Sequence, residues 1–556
     1  MKHLLVIILL YLTALPGICA GEDIYETRLN SGLRSTEAYS YLLMEKAGKQ
    51  GTESVQLLKE AVKMSPDLPP VYFALAKARF SPSSTGVFES VEYVIEGISA
   101  YTRNFWYAFT LAGSLFFCIV LSFVVAMAII TAARFPGDIK LFAHDLTEVK
   151  YLLSLLVLLV VISGISPLLF IAGMLVLLGI YMKKLDRVVV YLFLAFLVFS
   201  PLLFRTAALF VHALSSPQLK AVVAVNESKD NTYALTALKN YDDFPSLFSY
   251  ALALKREGHY DEAIAAYQKL LGKRPDPRVY VNLGNCYAGA KKMEEALASY
   301  RKAVEIKPLA SVYYNLSQVS REKLDFQKGN EYFGQALDIN RDAVAGYRSV
   351  YSRNPNRFVV DETLTFPELW DLALKNTGTA SSFGASALPP FILSGVALLL
   401  IMLYFLLNTF MRERAYRCKR CSTILCPRCE YRLTWGSMCQ ACYASIVKPE
   451  ELEVKERVSR LLSIYEHQKR RRNVMKVLSF LMPGVPQIYA GRILSGFLFL
   501  WPFLFCVILL FTNRIFTGGG TFFSHSFFTW AAVFFAALIY IFSIIITIQR
   551  IVKGWL

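Results

Sequence analysis

Acidic residues are few in this chain and histidines fewer, with 42 Asp and Glu set against 59 Lys and Arg and only six His in 556 residues. Charged residues make up 18% of the whole and hydrophobic ones 55%, too apolar a balance for an ordinary soluble protein. No acid pair, histidine cluster, phosphate loop or nucleophile motif stands in a spacing that supports catalysis, so no catalytic residue and no organic cofactor are assigned. The long apolar runs are nearly free of Asp, Glu and His, which argues against an ion-coupled pathway through them. A disulfide framework is also missing. Six of the ten cysteines crowd between Cys418 and Cys442, while Cys19, Cys118, Cys286 and Cys506 stand singly.

What the chain has in quantity is apolar sequence bordered by positive charge. The net +17 is not spread over one soluble face: residues 412–475 carry +8 and residues 476–556 carry +5, beside apolar spans. That pattern fits cytoplasmic retention of basic loops, and no nucleic-acid partner is expected. Residues 1–20 have the basic start, apolar core and small-residue end of a signal peptide. Residues 21–104 are expected to form an extracytoplasmic helical domain, and residues 105–213 a membrane domain of about four spans. Within the latter, Tyr151 to Met182 would be about 48 Å long as one helix, against a hydrocarbon core of about 30 Å. Gly164 and Pro167 interrupt it, so a hairpin of two spans is expected. A single crossing would instead put Lys183, Lys184, Arg187 and the cysteines outside, against the charge rule.

Between Phe244 and Arg341 the chain repeats with a period of 33. The first copy has Leu247, Ala251, Gly258, Tyr260, Ala263, Tyr267 and Pro275. The second has Tyr280, Leu283, Gly284, Tyr287, Ala296, Tyr300, Ala303 and Pro308, and the third keeps Tyr313, Leu316, Phe333 and Ala336 but carries Ser317, Gly329 and Arg341. Small residues let paired helices cross closely, aromatics fill the space between pairs, and proline ends the second helix. The pattern (244–276, 277–309, 310–342) resembles the tetratricopeptide repeat family, and residues 35–101 read either as a degenerate pair of such repeats or as a plain helical hairpin. The resemblance implies an α-solenoid that binds protein partners in a groove lined by first-helix residues, here Phe248, Lys255, Arg278, Val281, Asn285, Tyr314, Gln318 and Arg321. The groove has fewer basic residues than the family's carboxylate clamp, so capture of a C-terminal tail is not expected. Residues 214–390 complete this extracytoplasmic domain and its Gly/Ser/Thr/Ala-rich linker.

A charge-free span, Phe391 to Phe410, lies within the transmembrane segment 391–411 and leads to Arg412, Arg414 and three Cys-x-x-Cys pairs: Cys418 with Cys421, Cys426 with Cys429, and Cys439 with Cys442. Each such turn offers two thiolates to one tetrahedral ion, and two turns complete a closed four-sulfur site of the kind that takes structural zinc. The spacing leaves open which four cysteines bind, and whether there are one or two sites. The module (412–448) is similar to the later part of FYVE-like and other treble-clef zinc fingers, and that likeness implies one ion on Cys418, Cys421, Cys439 and Cys442.

A helix is expected from Pro449 to Arg472 in a basic segment spanning 449–475, with Leu452, Val454, Val458, Leu461, Leu462 and Tyr465 on one face. Lys469, Arg470, Arg471 and Arg472 then meet the bilayer, where they can touch anionic lipid or act as a solvated stop. Residues 476–556 carry Pro483-Gly484-Val485-Pro486-Gln487-Ile488-Tyr489-Ala490-Gly491 ahead of two spans, which looks like the small two-span domains of many bacterial membrane proteins. Gln487 needs an internal hydrogen-bond partner there. The expectation is a mainly α, multi-pass inner-membrane protein with an α-solenoid repeat domain outside and a small zinc-finger-like module and the C-terminus inside. It would act as a scaffold or adaptor; the alternative is an enzyme or transporter subunit of envelope or polymer biogenesis that uses the repeats for docking.

Overall fold

The computed structural model describes residues 24–49, 54–145, 166–348, 354–375, 389–410, 414–418, 420–426, 439–446, 453–516 and 526–553. The expected signal peptide, the first half of the 151–182 hairpin, the 377–387 linker, the start of the helix at Pro449, and Cys429 fall outside these residues. The fold is mainly α, with tetratricopeptide-like repeats; among the described residues the one sheet is a two-stranded antiparallel hairpin. Two compact units emerge, one drawn from Met1–Phe109 and Val211–Thr377, the other from Thr110–Phe210, Gly378–Gly520 and His525–Leu556.

The first unit begins with helix pairs Glu37–Lys49 with Ser54–Met64, and Pro69–Arg79 with Ser84–Ala100. Leu43, Met44, Leu58, Ala61, Val71 and Leu75 form their common core. The three repeats follow as Phe244–Arg256 with Tyr260–Lys273, Pro277–Gly289 with Met293–Ile306, and Ala310–Glu322 with Phe326–Ile339. The turn within each pair has one physical design. The second residue after the first helix adopts left-handed backbone, Gly258 at φ 85°, Lys291 at 61° and Leu324 at 64°. The next N–H closes the helix by donating backwards: His259 to Leu254 O at 2.9 Å, Lys292 to Tyr287 O at 2.8 Å and Asp325 to Ser320 O at 2.9 Å. Ser228, at φ 54°, makes the same turn after helix Pro217–Asn226, with the Lys229 N–H donating to Ala224 O at 2.8 Å. The array is therefore preceded by one more turn of this kind, which a strict 33-residue period does not reveal.

Close crossing of the helices depends on small residues at defined points. A Cβ on Gly284 would lie 2.4 Å from Cε1 of Tyr300, itself fully buried in the paired helix. Tyr300 donates from its hydroxyl to Asn285 Oδ1 at 2.8 Å, so the ring cannot simply swing away.

In the second unit, among the described residues, four helices are long and apolar enough to cross a membrane: Phe105–Asp145, Pro390–Thr409, Ile493–Phe511 and Thr529–Val552. Helix Pro167–Gly179 is shorter, and Val188–Val198 with Ser200–Ser215 forms a pair bent by 59°. The bend falls beside Pro201, which lacks the N–H needed to continue the ladder, so the helix that starts at Val188 breaks at Phe199. Phe123, Phe193, Leu194, Leu197, Tyr404 and Leu500 lie in the shared core. Gly484, at φ 82°, lets its turn sit against Gly496, where an added Cβ would meet the Gly496 carbonyl oxygen. Gln487 has the expected internal partner: its amide donates to Thr547 Oγ1 at 2.8 Å.

Basic segments around Arg134 and Arg414 meet polar groups at neighbouring helix ends and turns. Arg134 pairs with Asp138 and reaches Ile488 O at 3.4 Å, and Asp186 accepts from the Leu494 N–H at 2.8 Å. Asp145 accepts from Tyr181 Oη at 2.8 Å and from the Ala415 N–H at 3.1 Å, while Arg414 donates to Ile180 O. The opposite ends of Val188–Val198 and Pro390–Phe410 meet through Ser394 Oγ, which donates to Val198 O at 2.8 Å.

Two substitutions test the repeat geometry by thermal unfolding. Gly284→Ala drives a methyl into Tyr300 and is expected to cost about 1–3 kcal/mol. Leu324→Gly relieves a left-handed leucine on an exposed turn and is expected to stabilise by roughly 0.5–1 kcal/mol.

Candidate functional site

Side chains 33 residues apart on the first helices share one inner face: Phe248, Val281 and Tyr314; Ser249, Asn282 and Asn315; Leu252, Asn285 and Gln318; Lys255, Ala288 and Arg321. That face is covered by the chain's own non-helical residues 359–365, which run from Pro355–Phe358 to helix Phe366–Lys375. Four asparagines hold this strap by its backbone, Asn285 by donating to Val360 O at 2.8 Å. Asn315 brackets Val360, accepting its N–H at 2.7 Å and donating to its carbonyl at 2.9 Å. Asn282 does the same for Glu362, at 2.8 and 2.9 Å, and Asn226 accepts the Leu364 N–H at 2.7 Å. The strap is thus read at alternate residues, as an extended chain presents them.

Asp361 points into the array and meets three donors: Lys255 Nζ at 2.8 Å, Arg256 Nε at 3.2 Å and Asn285 Nδ2 at 2.9 Å. Lys255 is completely buried. Burial pushes the Asp361 carboxyl up, but the two cations and the hydrogen bonds from Lys255 and Asn285 outweigh it and hold the group down at about 2. Glu362 lies the other way: burial raises it, although Ser311 Oγ donates to its carboxylate. At the end of the strap, Arg278 makes a two-pronged contact with Glu368 at 2.7 and 3.0 Å, and Glu368 also accepts the Thr365 N–H at 2.8 Å to close the helix start.

Of the eight groove positions read from the sequence, Lys255, Arg278 and Asn285 bond residues 360–368 directly, and Tyr314 packs in a cluster with Val360. Val281 is buried in a cluster with Phe358 and Val359. Phe248 is buried against Phe244 and Tyr267, Gln318 is buried, and Arg321 lies over Phe333 and donates to Asn330. The sequence reading missed Asn282 and Asn315, although their spacing of one repeat was available as a signal. Asn226 and the strap carried none, because a backbone held by amides needs no particular side chains.

The second site lies in the cysteine module. Strands Tyr416–Arg417 and Ile424–Leu425 pair antiparallel, with Cys418 and Cys421 on the turn between them and Ser422 in left-handed backbone. Cys439 precedes helix Gln440–Ile446, and Cys442 lies in its first turn. The four sulfurs all fall within 4.8 Å of one another, with Cys421 and Cys439 3.6 Å apart. A tetrahedral ion with bonds of about 2.3 Å to sulfur needs its sulfurs about 3.8 Å apart, so the set fits a metal ion. Backbone N–H groups aim at the sulfurs as thiolates require: Cys439 N to Cys418 Sγ and Cys442 N to Cys439 Sγ, both at 3.4 Å. Cys426 does not join them; it packs with Leu141 and Ala415 in a separate apolar cluster.

A profile of the tetratricopeptide repeat matches residues 250–311. No curated protein matches the chain.

Two measurements check these sites. The Asp361 contribution is present above the ordinary carboxylate pKa and is lost as pH falls through about 2, so the thermal midpoint of the first unit should drop between pH 4 and pH 2. Asp361→Asn should lower that midpoint at neutral pH, by about 3 kcal/mol of stability, and flatten the acid dependence. Metal analysis of the purified chain should give one ion per chain, retained in Cys426→Ser and lost in Cys439→Ser.

Proposed function

We propose that the protein is a membrane-anchored adaptor of the bacterial envelope: its repeat array docks a protein segment on the extracytoplasmic side, and its cysteine module is a structural zinc site on the cytoplasmic side. The observation that carries the reading is the asparagine-lined inner face, which holds an extended chain by its backbone and one carboxylate. The repeat profile supports protein–protein interaction as the purpose of such a face.

The apolar helices of the second unit support the membrane arrangement. The positive-inside tendency assigns the unit's basic stretches to the cytoplasm. Zinc is favoured for the cysteine set because four thiolates close the coordination sphere, leaving no open position for a reacting water. The helix Val454–Leu481 adds a lipid-facing element. Val454, Val458, Leu462 and Tyr465 are exposed along it, and Lys469, Arg470, Arg471 and Arg472 follow, a composition suited to anionic headgroups at the bilayer surface.

Reporters test the topology. An enzyme active only outside the cytoplasm should work when fused at residue 380, and one active only inside should work when fused at residue 445; the reverse pattern overturns the arrangement. Photocrosslinking in cells from Arg321, partly exposed on the third repeat, should capture a protein, and recovery of none would remove the adaptor role.

A further inference from the structure

We infer that the inner face of the array is a docking site for an extended, acidic peptide segment of a partner protein, and that residues 359–364 are a resident stand-in bound in cis. The inference deepens the adaptor reading and rests on it.

Recognition of the strap is almost wholly recognition of main chain. Asn315 and Asn282 each use both amide atoms on one backbone residue, and Asn226 takes a third N–H two residues further on. Most residues satisfy those bonds; proline at positions 360, 362 or 364 does not, because it has no N–H to give. The side-chain requirement is narrower, namely a carboxylate in the place of Asp361, within reach of Lys255, Arg256 and Asn285. A second acid at the next position meets Ser311, and the preceding aliphatic residue packs by Tyr314. The segment the face fits is therefore aliphatic–Asp–acidic, followed by an aliphatic two residues later, as Val360, Asp361, Glu362 and Leu364 stand here.

The buried cations also determine how the strap can leave. Lys255 is inaccessible to water and Arg256 nearly so, so withdrawing Asp361 alone would strand two charges in an apolar interior. A simple opening is disfavoured, but an exchange in which an incoming carboxylate replaces the outgoing one is not. The face thus selects against neutral chains, which cannot supply that replacement.

Hydrogen exchange on the full-length protein in nanodiscs, read at the backbone amides of residues 360, 362 and 364, tests this. The probe is a synthetic peptide of the strap sequence, Arg357 to Phe366. Saturating peptide should speed exchange of those amides at least tenfold and leave helices Pro277–Gly289 and Ala310–Glu322 unchanged, and a fluorescent version should bind saturably. A peptide with Asn in place of Asp361 should do neither. Asn282→Ala in the protein should weaken peptide binding about tenfold while its helix amides stay protected. Unchanged strap exchange at saturating peptide, or equal action by the Asn peptide, would overturn the inference and make the strap a fixed part of the core. Acceleration by protein concentration alone, with a dimer appearing, would also overturn it, since the occupant would then be a second copy. Crosslinking from Arg321 reads capture of a partner anywhere near the third repeat, whereas strap exchange reads the inner face alone, so the two can fail separately.

Discussion

The buried contact of Asp361 with Lys255, Arg256 and Asn285 is the constraint on which the first unit depends. Two cations on the first repeat helix have been taken out of water, a cost that is acceptable only with a matched anion and with hydrogen bonds for the remaining donors. Arg256 meets that requirement on its other side by donating to Val225 O at 2.8 Å, which ties the first repeat to the helix before it. Asn285 uses its oxygen for Tyr300 and for Asn315, which links the second repeat to the third. One carboxylate from a segment about a hundred residues further along the chain therefore joins the helix before the array and all three repeats. Solenoid repeats normally touch only their neighbours, so a strap across the inner face adds long-range coupling that the repeats alone do not have.

The repeat array was legible because its physics is periodic. Gly284 and Tyr300 recur in type or position every 33 residues, and the close approach they allow is the one the structure shows. The left-handed turns were only partly legible. Gly258 announces one, but Lys291 and Leu324 adopt the same conformation without a sequence sign, since the six-residue closure of the helix outweighs the modest cost of a left-handed side chain. The strap was the least legible part. Its partners are amide groups on helices, it bonds through its own backbone, and nothing in a local window indicates that Val360 and Glu362 will be bracketed rather than solvated.

The cysteine module shows the same division. Three Cys-x-x-Cys pairs signal a metal site at once, and the structure brings together Cys418, Cys421, Cys439 and Cys442. Spacing alone could not separate Cys426 from the rest, because its position depends on packing against Leu141, nearly three hundred residues earlier. In the second unit the apolar runs were plain, whereas the bend at Phe199 turned on whether Pro201 would be tolerated as a kink or would redirect the helix.

The cysteine hairpin is positioned by backbone groups rather than by a large apolar core. Asp145 accepts from the Ala415 N–H, Arg414 reaches Ile180 O and Asn408 O, and Arg417 reaches Gly137 O. Apart from the Gly137 carbonyl, which lies within helix Phe105–Asp145, these are groups at a helix end or a loop, where carbonyls and N–H groups have no ladder partner. The described strands and helix of the module are short, so these charge-assisted bonds contribute to its placement, and an ion held by the four cysteines would add internal order. The same arginines that keep this end of the unit basic are thus the ones that fix the hairpin to it. The placement of the four-cysteine cluster and the basic character of this end draw on a single set of residues.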